Sequence, residues 1–284
     1  MVKKEIVLAR AKELEKAYNL SHYEILQRFI FERILERISI SQYQDNFILK
    51  GGLLLSAMFG VNNRTTKDMD TTISGIDIKK EEMLIVLNRI LSINIQDNVS
   101  FEILNITNIR ENNKYGGNKY HIIGKFDNLK INVEIDISTG DKVTPNELKY
   151  KFPLLFENRS ILLNSYNIET IFSEKFETLL RRGRFNSRMK DFYDIFFFLN
   201  YLINDIDINI LKQDLNNTFN KRNSINYLKD YNKILDSVLN SKKVQSLWDN
   251  YSLKNQYANN ISLLEIIELL HSFINELEID AICV

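Results

Sequence analysis

The sequence predicts an α+β fold in which a sheet module over residues 1–166 precedes a helical module over residues 167–284. Two observations predict it. Period-two alternation of apolar and polar residues, the mark of half-buried strands, recurs before residue 167. After Asn167 the apolar residues recur at three- and four-residue spacings instead. A third observation bounds the answer: 284 residues with 44% hydrophobic and 26% charged side chains can build a sizeable core and are too apolar for disorder.

The elements follow in order. Residues 3–18 and 22–38 have helical periodicity, with Ile25, Leu26, Phe29, Ile30, Ile34 and Leu35 forming an apolar stripe. Ser21 and Glu24 have the S-x-x-E spacing of a capping box, which fixes the start of the second helix. Residues 46–50 lead into the Gly51-Gly52 turn, and a helix follows over about 52–60. A polar loop, 61–66, precedes a strand over 67–74; 79–93 is an amphipathic helix and 100–109 a strand. Residues 119–126 and 129–138 form a hairpin about Asp127-Asn128. In its second arm Ile131, Val133, Ile135 and Ile137 share one face; Lys130, Asn132, Glu134, Asp136 and Ser138 share the other. The character changes at Pro145 and Pro153, residues 159–166 supply one more strand, and 168–182 and 188–203 are helices, followed by polar helices to residue 284.

Composition excludes several function classes. Lys plus Arg equals Asp plus Glu at 37 each, so any basic patch for nucleic acid must be local rather than global. The single cysteine, Cys283, rules out an intramolecular disulfide or a multi-cysteine metal centre. His22, His121 and His271 are too scattered in sequence to suggest a ligand cluster. The first residues interleave apolar and charged side chains, unlike a signal peptide, and the longest apolar stretch, DIFFFLNYLI, is too short to span a bilayer. These features predict a cytoplasmic protein with no membrane partner.

Four elements could carry chemistry. Gly51 and Gly52, at a helix start, let backbone N–H groups approach an anion; the plain alternative, and the stronger one for the doublet taken alone, is a tight turn with no ligand. Asp68 and Asp70 share a strand face, and adjacent carboxylates repel unless a cation such as Mg2+ lies between them. Glu134 and Asp136 offer a third carboxylate on another strand; the plain alternative is a solvent face. The segment SEKFETLLRRGRFNSRMKDFYDIFFFL, residues 173–199, places Lys175, Thr178 and Arg182 on one helix face. It adds a basic cluster of Arg181, Arg182, Arg184, Arg188 and Lys190, then Asp191 and Asp194 one turn apart. A phosphate-binding face and a solvated helix pair with internal ion pairs are both open readings of it.

In this order, LKGGLLL, TKDMDTTIS, INVEIDIS and EKFETLLRRGRFNSRMKDFYDI resemble the nucleotidyltransferase AbiEii/AbiGii toxin family, the toxins of abortive-infection toxin–antitoxin systems. The resemblance covers roughly residues 20–200. It implies a DNA polymerase β-like minimal nucleotidyltransferase fold with a C-terminal helical module. It also implies a phage-defence toxin that uses a nucleoside triphosphate and Mg2+, with GTP binding or tRNA modification in members of the family, and a cognate antitoxin. By position, Gly51 and Gly52 would hold the triphosphate, Asp68 and Asp70 would bind metal with Asp136 as third carboxylate, and Lys175 would contact phosphate. Asp191, with Asp194 nearby, would complete the site, and Arg182 and Arg188 would add phosphate contacts. The sequence departs from the family pattern at Leu53, where a small hydroxyl residue usually follows the glycines. The enzyme reading is therefore transfer of a nucleotide from an NTP to an RNA, including tRNA, or a protein acceptor. Its rivals are a GTP-binding module without catalysis and a module that docks RNA or a protein partner.

Overall fold

A computed structural model describes residues 3–74, 80–109, 117–139 and 143–278. Cys283 and the start of the 79–93 helix lie outside those residues. The chain divides into two compact units: Met1–Lys142 with Glu147–Tyr166, and Val143–Asn146 with Asn167–Val284.

The first unit is built on a mixed sheet. Its helices are α1 (Lys4–Tyr18), α2 (His22–Ser39), α3 (Gly51–Phe59) and α4 (Lys80–Leu91). Its strands are β1 (Phe47–Lys50), β2 (Asp68–Ile73), β3 (Val99–Asn108), β4 (Gly117–Phe126), β5 (Leu129–Thr139), β6 (Leu148–Pro153) and β7 (Ser160–Ser165). They run in the order β3-β4-β5-β2-β1-β7-β6. The pairs β2/β5 and β1/β7 are parallel; the other neighbours are antiparallel.

Strand alternation gives the sheet one apolar and one polar face. Met69, Tyr120, Ile122, Ile131, Val133, Ile135 and Ile137 are buried together. Helix α2 covers this face: Phe29 stacks 5.3 Å from Phe126, and Ile30 lies over Gly124, where there is no side chain to hold it off. The capping box at Ser21 and Glu24 forms as the sequence predicts. The polar positions of α2 are not all solvated. Arg37 makes a two-pronged contact with Asp97 at 2.6 and 2.8 Å, and Arg33 reaches Glu157 at 2.7 Å, so buried ion pairs fasten α2 to two loops.

Strand β6 is an addition to the sequence reading. It is an edge strand in which only Phe152 and, partly, Tyr150 are shielded, and Lys149 and Lys151 alternate with them. Lysines and a terminal proline on an edge discourage further strand pairing.

The second unit is helical: α5 (Ile168–Arg182), α6 (Met189–Tyr201), α7 (Ile208–Lys221), α8 (Ile225–Lys229), α9 (Tyr231–Leu239), α10 (Lys242–Lys254) and α11 (Leu263–Glu276). Asn167 caps α5 by accepting from Thr170 N at 2.9 Å. Phe172 is the hub of the core, in ring contact with Phe176, Phe198 and Phe273. Among the described residues no helix is long and apolar enough to cross a membrane.

Candidate active site

The polar face of the sheet gathers the carboxylates that the sequence singled out. In the parallel β2/β5 pair Asp68 stands beside Glu134, and Asp70 beside Asp136. Paired residues in a sheet project to the same side, so these four acids form a two-by-two block. Cations flank it in register: Lys50 of β1 pairs with Asp70, and Lys119 of β4 pairs with Asp136. The Asp136/Asp70 row therefore reads cation, acid, acid, cation across four strands, while the Glu134/Asp68 row has His121 on β4 and no β1 partner. Sequence reasoning missed both lysines, because which strands are neighbours is not written in the local pattern.

The glycine doublet is explained by this block. Gly51 has φ +67°, a left-handed conformation that side-chain-bearing residues avoid. A Cβ there would lie 2.5 Å from Asp70 Cγ and 2.7 Å from its Cβ. A Cβ at Gly52 would lie 2.8 Å from Thr66 Cβ. The doublet thus lets Asp70 lie against the first turn of α3, where Gly52 N–H donates to its Oδ2 at 3.4 Å. Leu53 is buried in the core, so the residue after the glycines offers no hydroxyl to an anion at that turn. Gly51→Ala is expected to displace Asp70 and to cut activity more deeply than it lowers melting temperature; parallel assays of transfer and thermal unfolding check this.

Each acid has a distinct environment. Asp68 accepts from the Thr66 hydroxyl. Glu134 is held on both oxygens, by Lys119 Nζ at 2.6 Å and by His121 Nδ1 at 3.2 Å. Asp136 Oδ1 is buried without an aligned hydrogen bond, although Lys119 Nζ stands 3.3 Å away as an ion pair. Burial pushes the Asp136 carboxyl above its ordinary range; Lys119 opposes that shift, and the charges of Asp68 and Glu134 add to it. Lys119 is held above its ordinary range: burial would lower it, but Glu134 and Asp136 outweigh burial. Lys50 extends to the Ser138 hydroxyl at 2.7 Å, over the ring of Tyr166.

These residues fit a hard divalent cation. Such an ion takes carboxylate oxygens, and a buried oxygen without an aligned donor is one that a cation satisfies. Among the described residues no three His, Cys, Asp or Glu side chains are placed to hold a metal ion together. An open site of one or two carboxylates is what an ion needs if it keeps waters and binds substrate phosphates.

The second unit brings together the other predicted residues. Lys175 on α5 reaches across to α6, where its ammonium lies 2.8 Å from Asp191 and 2.8 Å from Asp194. Arg188, the residue before α6, contacts Asp191 through Nε at 2.6 Å. Side-chain exposure is 12% for Lys175, 2% for Asp191 and 0% for Asp194. Burial alone would raise the Asp191 carboxyl, but Lys175 and Arg188 hold it well below the usual carboxylate range. Of the two open readings of this segment, the internal ion pairs of the second do form, with their centre shielded from water rather than solvated. Arg222 lies 3.1 Å from Glu174 and 2.7 Å from Glu177, and Arg181 also takes Glu177, at 2.9 Å. Arg222 comes from the region past residue 203, in which the sequence showed no usable motif. Arg182 is half-buried in the last turn of α5.

Comparison with known proteins sets these residues in a family. The chain shares its fold with JHP933 from Helicobacter pylori at TM-score 0.54, 15% identity, 92% of this chain and 96% of that one. It also shares it with MenT4, a nucleotidyltransferase toxin of Mycobacterium tuberculosis, at TM-score 0.51 and 13% identity, over 76% of this chain and 70% of that one. The α+β fold expected from the sequence, a minimal nucleotidyltransferase sheet module with a helical module, is the fold observed. No curated protein matches the chain. The sequence model of the nucleotidyl transferase AbiEii toxin, Type IV TA system, matches residues 33–266. By that match over most of its length, the chain belongs to the AbiEii family of nucleotidyl transferase toxins.

Proposed function

We propose that the toxin transfers a nucleotide from GTP or another NTP to a hydroxyl of an RNA, tRNA included, or of a protein, with Mg2+ on the carboxylate face. A toxin of this family works against an antitoxin, and a nucleotidyl transferase takes a nucleoside triphosphate, chemistry ordinarily run on divalent metal. The observation that supports the reading best is the carboxylate block of Asp68, Asp70 and Asp136 beside the glycine-started helix α3. Asp68 and Asp70 would hold the ion, with Asp136 as the third oxygen donor. When bound, Mg2+ would supply positive charge to the phosphates and lower the pKa of an oxygen nucleophile. The acceptor oxygen forms a bond to the α-phosphorus, the bond from that phosphorus to the bridging oxygen breaks, and pyrophosphate leaves. The acceptor's proton passes to a carboxylate of the block or to water.

The chain's other groups orient and neutralise. The first amides of α3, freed from side chains by Gly51 and Gly52, would receive phosphate oxygens. Lys175 would contact the triphosphate, and Asp191 with Asp194 would fix the direction of its ammonium. Arg182 and Arg188 would add positive charge for the same phosphates.

The test is incubation with each labelled NTP, Mg2+ and total RNA. Label on RNA or protein is expected, and it is lost in Asp68→Ala. Nucleotide retained without any labelled product would replace this reading with a non-catalytic binding module. RNA retained through the arginine cluster without nucleotide would replace it with a docking module. In cells, expression alone is expected to slow growth, and co-expression of the cognate antitoxin to relieve it. Phage-defence and cytoplasmic roles belong to the same proposal.

A further inference from the structure

A carboxylate of the helical unit lies outside the transfer chemistry. Asp214, on α7, is 1% exposed, and among the described residues no lysine, arginine or histidine pairs with it. Hydroxyls surround it instead: Thr170 and Ser173 from α5, and Thr144 from the 143–146 segment, all three buried. Among the described residues neither carboxylate oxygen has an aligned donor, and the buried Ser173 Oγ has no aligned partner either. Amides fix the rest of the site. Asn217 Nδ2 donates to Thr144 Oγ1 at 3.0 Å, and Asn167 Nδ2 donates to the Thr144 carbonyl at 2.6 Å. Thr144 N–H in turn donates to Thr170 Oγ1 at 3.5 Å. Burial raises the Asp214 carboxyl above its ordinary range; the hydroxyls oppose that shift, and the charge of Glu174 adds to it.

We infer that Asp214, Thr144, Thr170 and Ser173 hold a monovalent metal cation, Na+ or K+, inside the helical unit. A carboxylate this deeply enclosed is costly without a counter-charge. Water would satisfy its oxygens and leave the charge; a divalent ion would reverse the charge; a monovalent ion cancels it. Every ligand on offer is a hard oxygen, and oxygens that gather without aligning as donor and acceptor are what a cation draws together. Thr170 and Ser173 stand on a helix, where a hydroxyl can give its proton to the carbonyl four residues back and keep its lone pairs for an ion. Such an ion ties α5, α7 and the 143–146 segment together at one point.

Thermal unfolding of the full chain in KCl, NaCl and choline chloride at equal ionic strength tests it. K+ or Na+ is expected to raise Tm by about 4 °C or more over choline, along a curve that saturates with concentration. Asp214→Asn keeps the shape and removes the charge, and is expected to melt at one temperature in all three salts. Asp249→Asn, at an exposed position of α10, is expected to keep the wild-type response. Ser173→Ala is expected to move the saturation midpoint several-fold higher, which keeps the test decisive if Asp214→Asn does not fold. Equal melting of the wild type in all three salts would mean that a proton neutralises Asp214, and would overturn the inference. A K+ or Na+ effect that persists unchanged in Asp214→Asn or in Ser173→Ala would overturn it too, by placing the ion elsewhere.

Discussion

Lys175→Met is expected to destabilise the helical unit by about 3–5 kcal/mol at neutral pH, because it removes the cation that both buried carboxylates share. Asp191 and Asp194 are almost wholly enclosed, and Lys175 is 2.8 Å from both. The loss has a signature in pH. In the wild type the Asp191 carboxyl is depressed, so its ion pairing stabilises fully above the ordinary carboxylate range near ~4 and is lost only as pH falls through its lower folded value. In the variant Arg188 alone opposes burial, so the Asp191 carboxyl moves up toward the ordinary range and the stability gap between variant and wild type narrows as pH falls from 7 into the acid range. Melting curves across that range decide the matter. A variant with unchanged melting temperature would mean that Lys175 is held for the reaction alone, whereas recovery in acid identifies a structural cation that any catalytic role shares. Transfer assays on this variant are meaningful only at temperatures where it remains folded.

Asp70→Asn is expected to reverse that balance, with rate falling on the order of a hundredfold or more while stability moves by no more than about 1 kcal/mol. Asp70 lies between Lys50 and Asp136 in register, so removing its charge relieves repulsion from its neighbouring acid and leaves the backbone undisturbed. The variant should also lose most of the rise in melting temperature that Mg2+ gives the wild type. Near-normal turnover in Asp70→Asn would remove this residue from the site.

The contrast shows how far local pattern reaches. Helix starts, the hairpin and the face that carries Asp68 and Asp70 follow from periods of two and 3.6 and from one capping box. Strand β6 escaped because its Lys-Tyr-Lys-Phe alternation is only four residues long, with one fully buried side chain, Phe152, and it lies between two prolines that read as loop. The carboxylate block was legible only as two separate pairs, since the parallel register that joins them links residues far apart in the chain. Lys50, Lys119 and Arg222 were invisible for the same reason: a charged side chain looks alike in sequence whether it meets water or an acid. The enclosure of Lys175 was not legible because its partners lie on the next helix, one turn apart, where spacing suggests a face but not what covers it.

The parallel joining of β2 to β5 also sets when, during synthesis, the four acids can come together. Asp68 and Asp70 leave the ribosome well before Asp136, and β5 reaches its place beside β2 only after β3 and β4 have been made. Pairings this distant in sequence form slowly, because a long loop must close before any contact rewards it. A nascent or half-folded chain therefore carries two of its acids without the other two. No nascent chain that stops short of β5 presents the whole block.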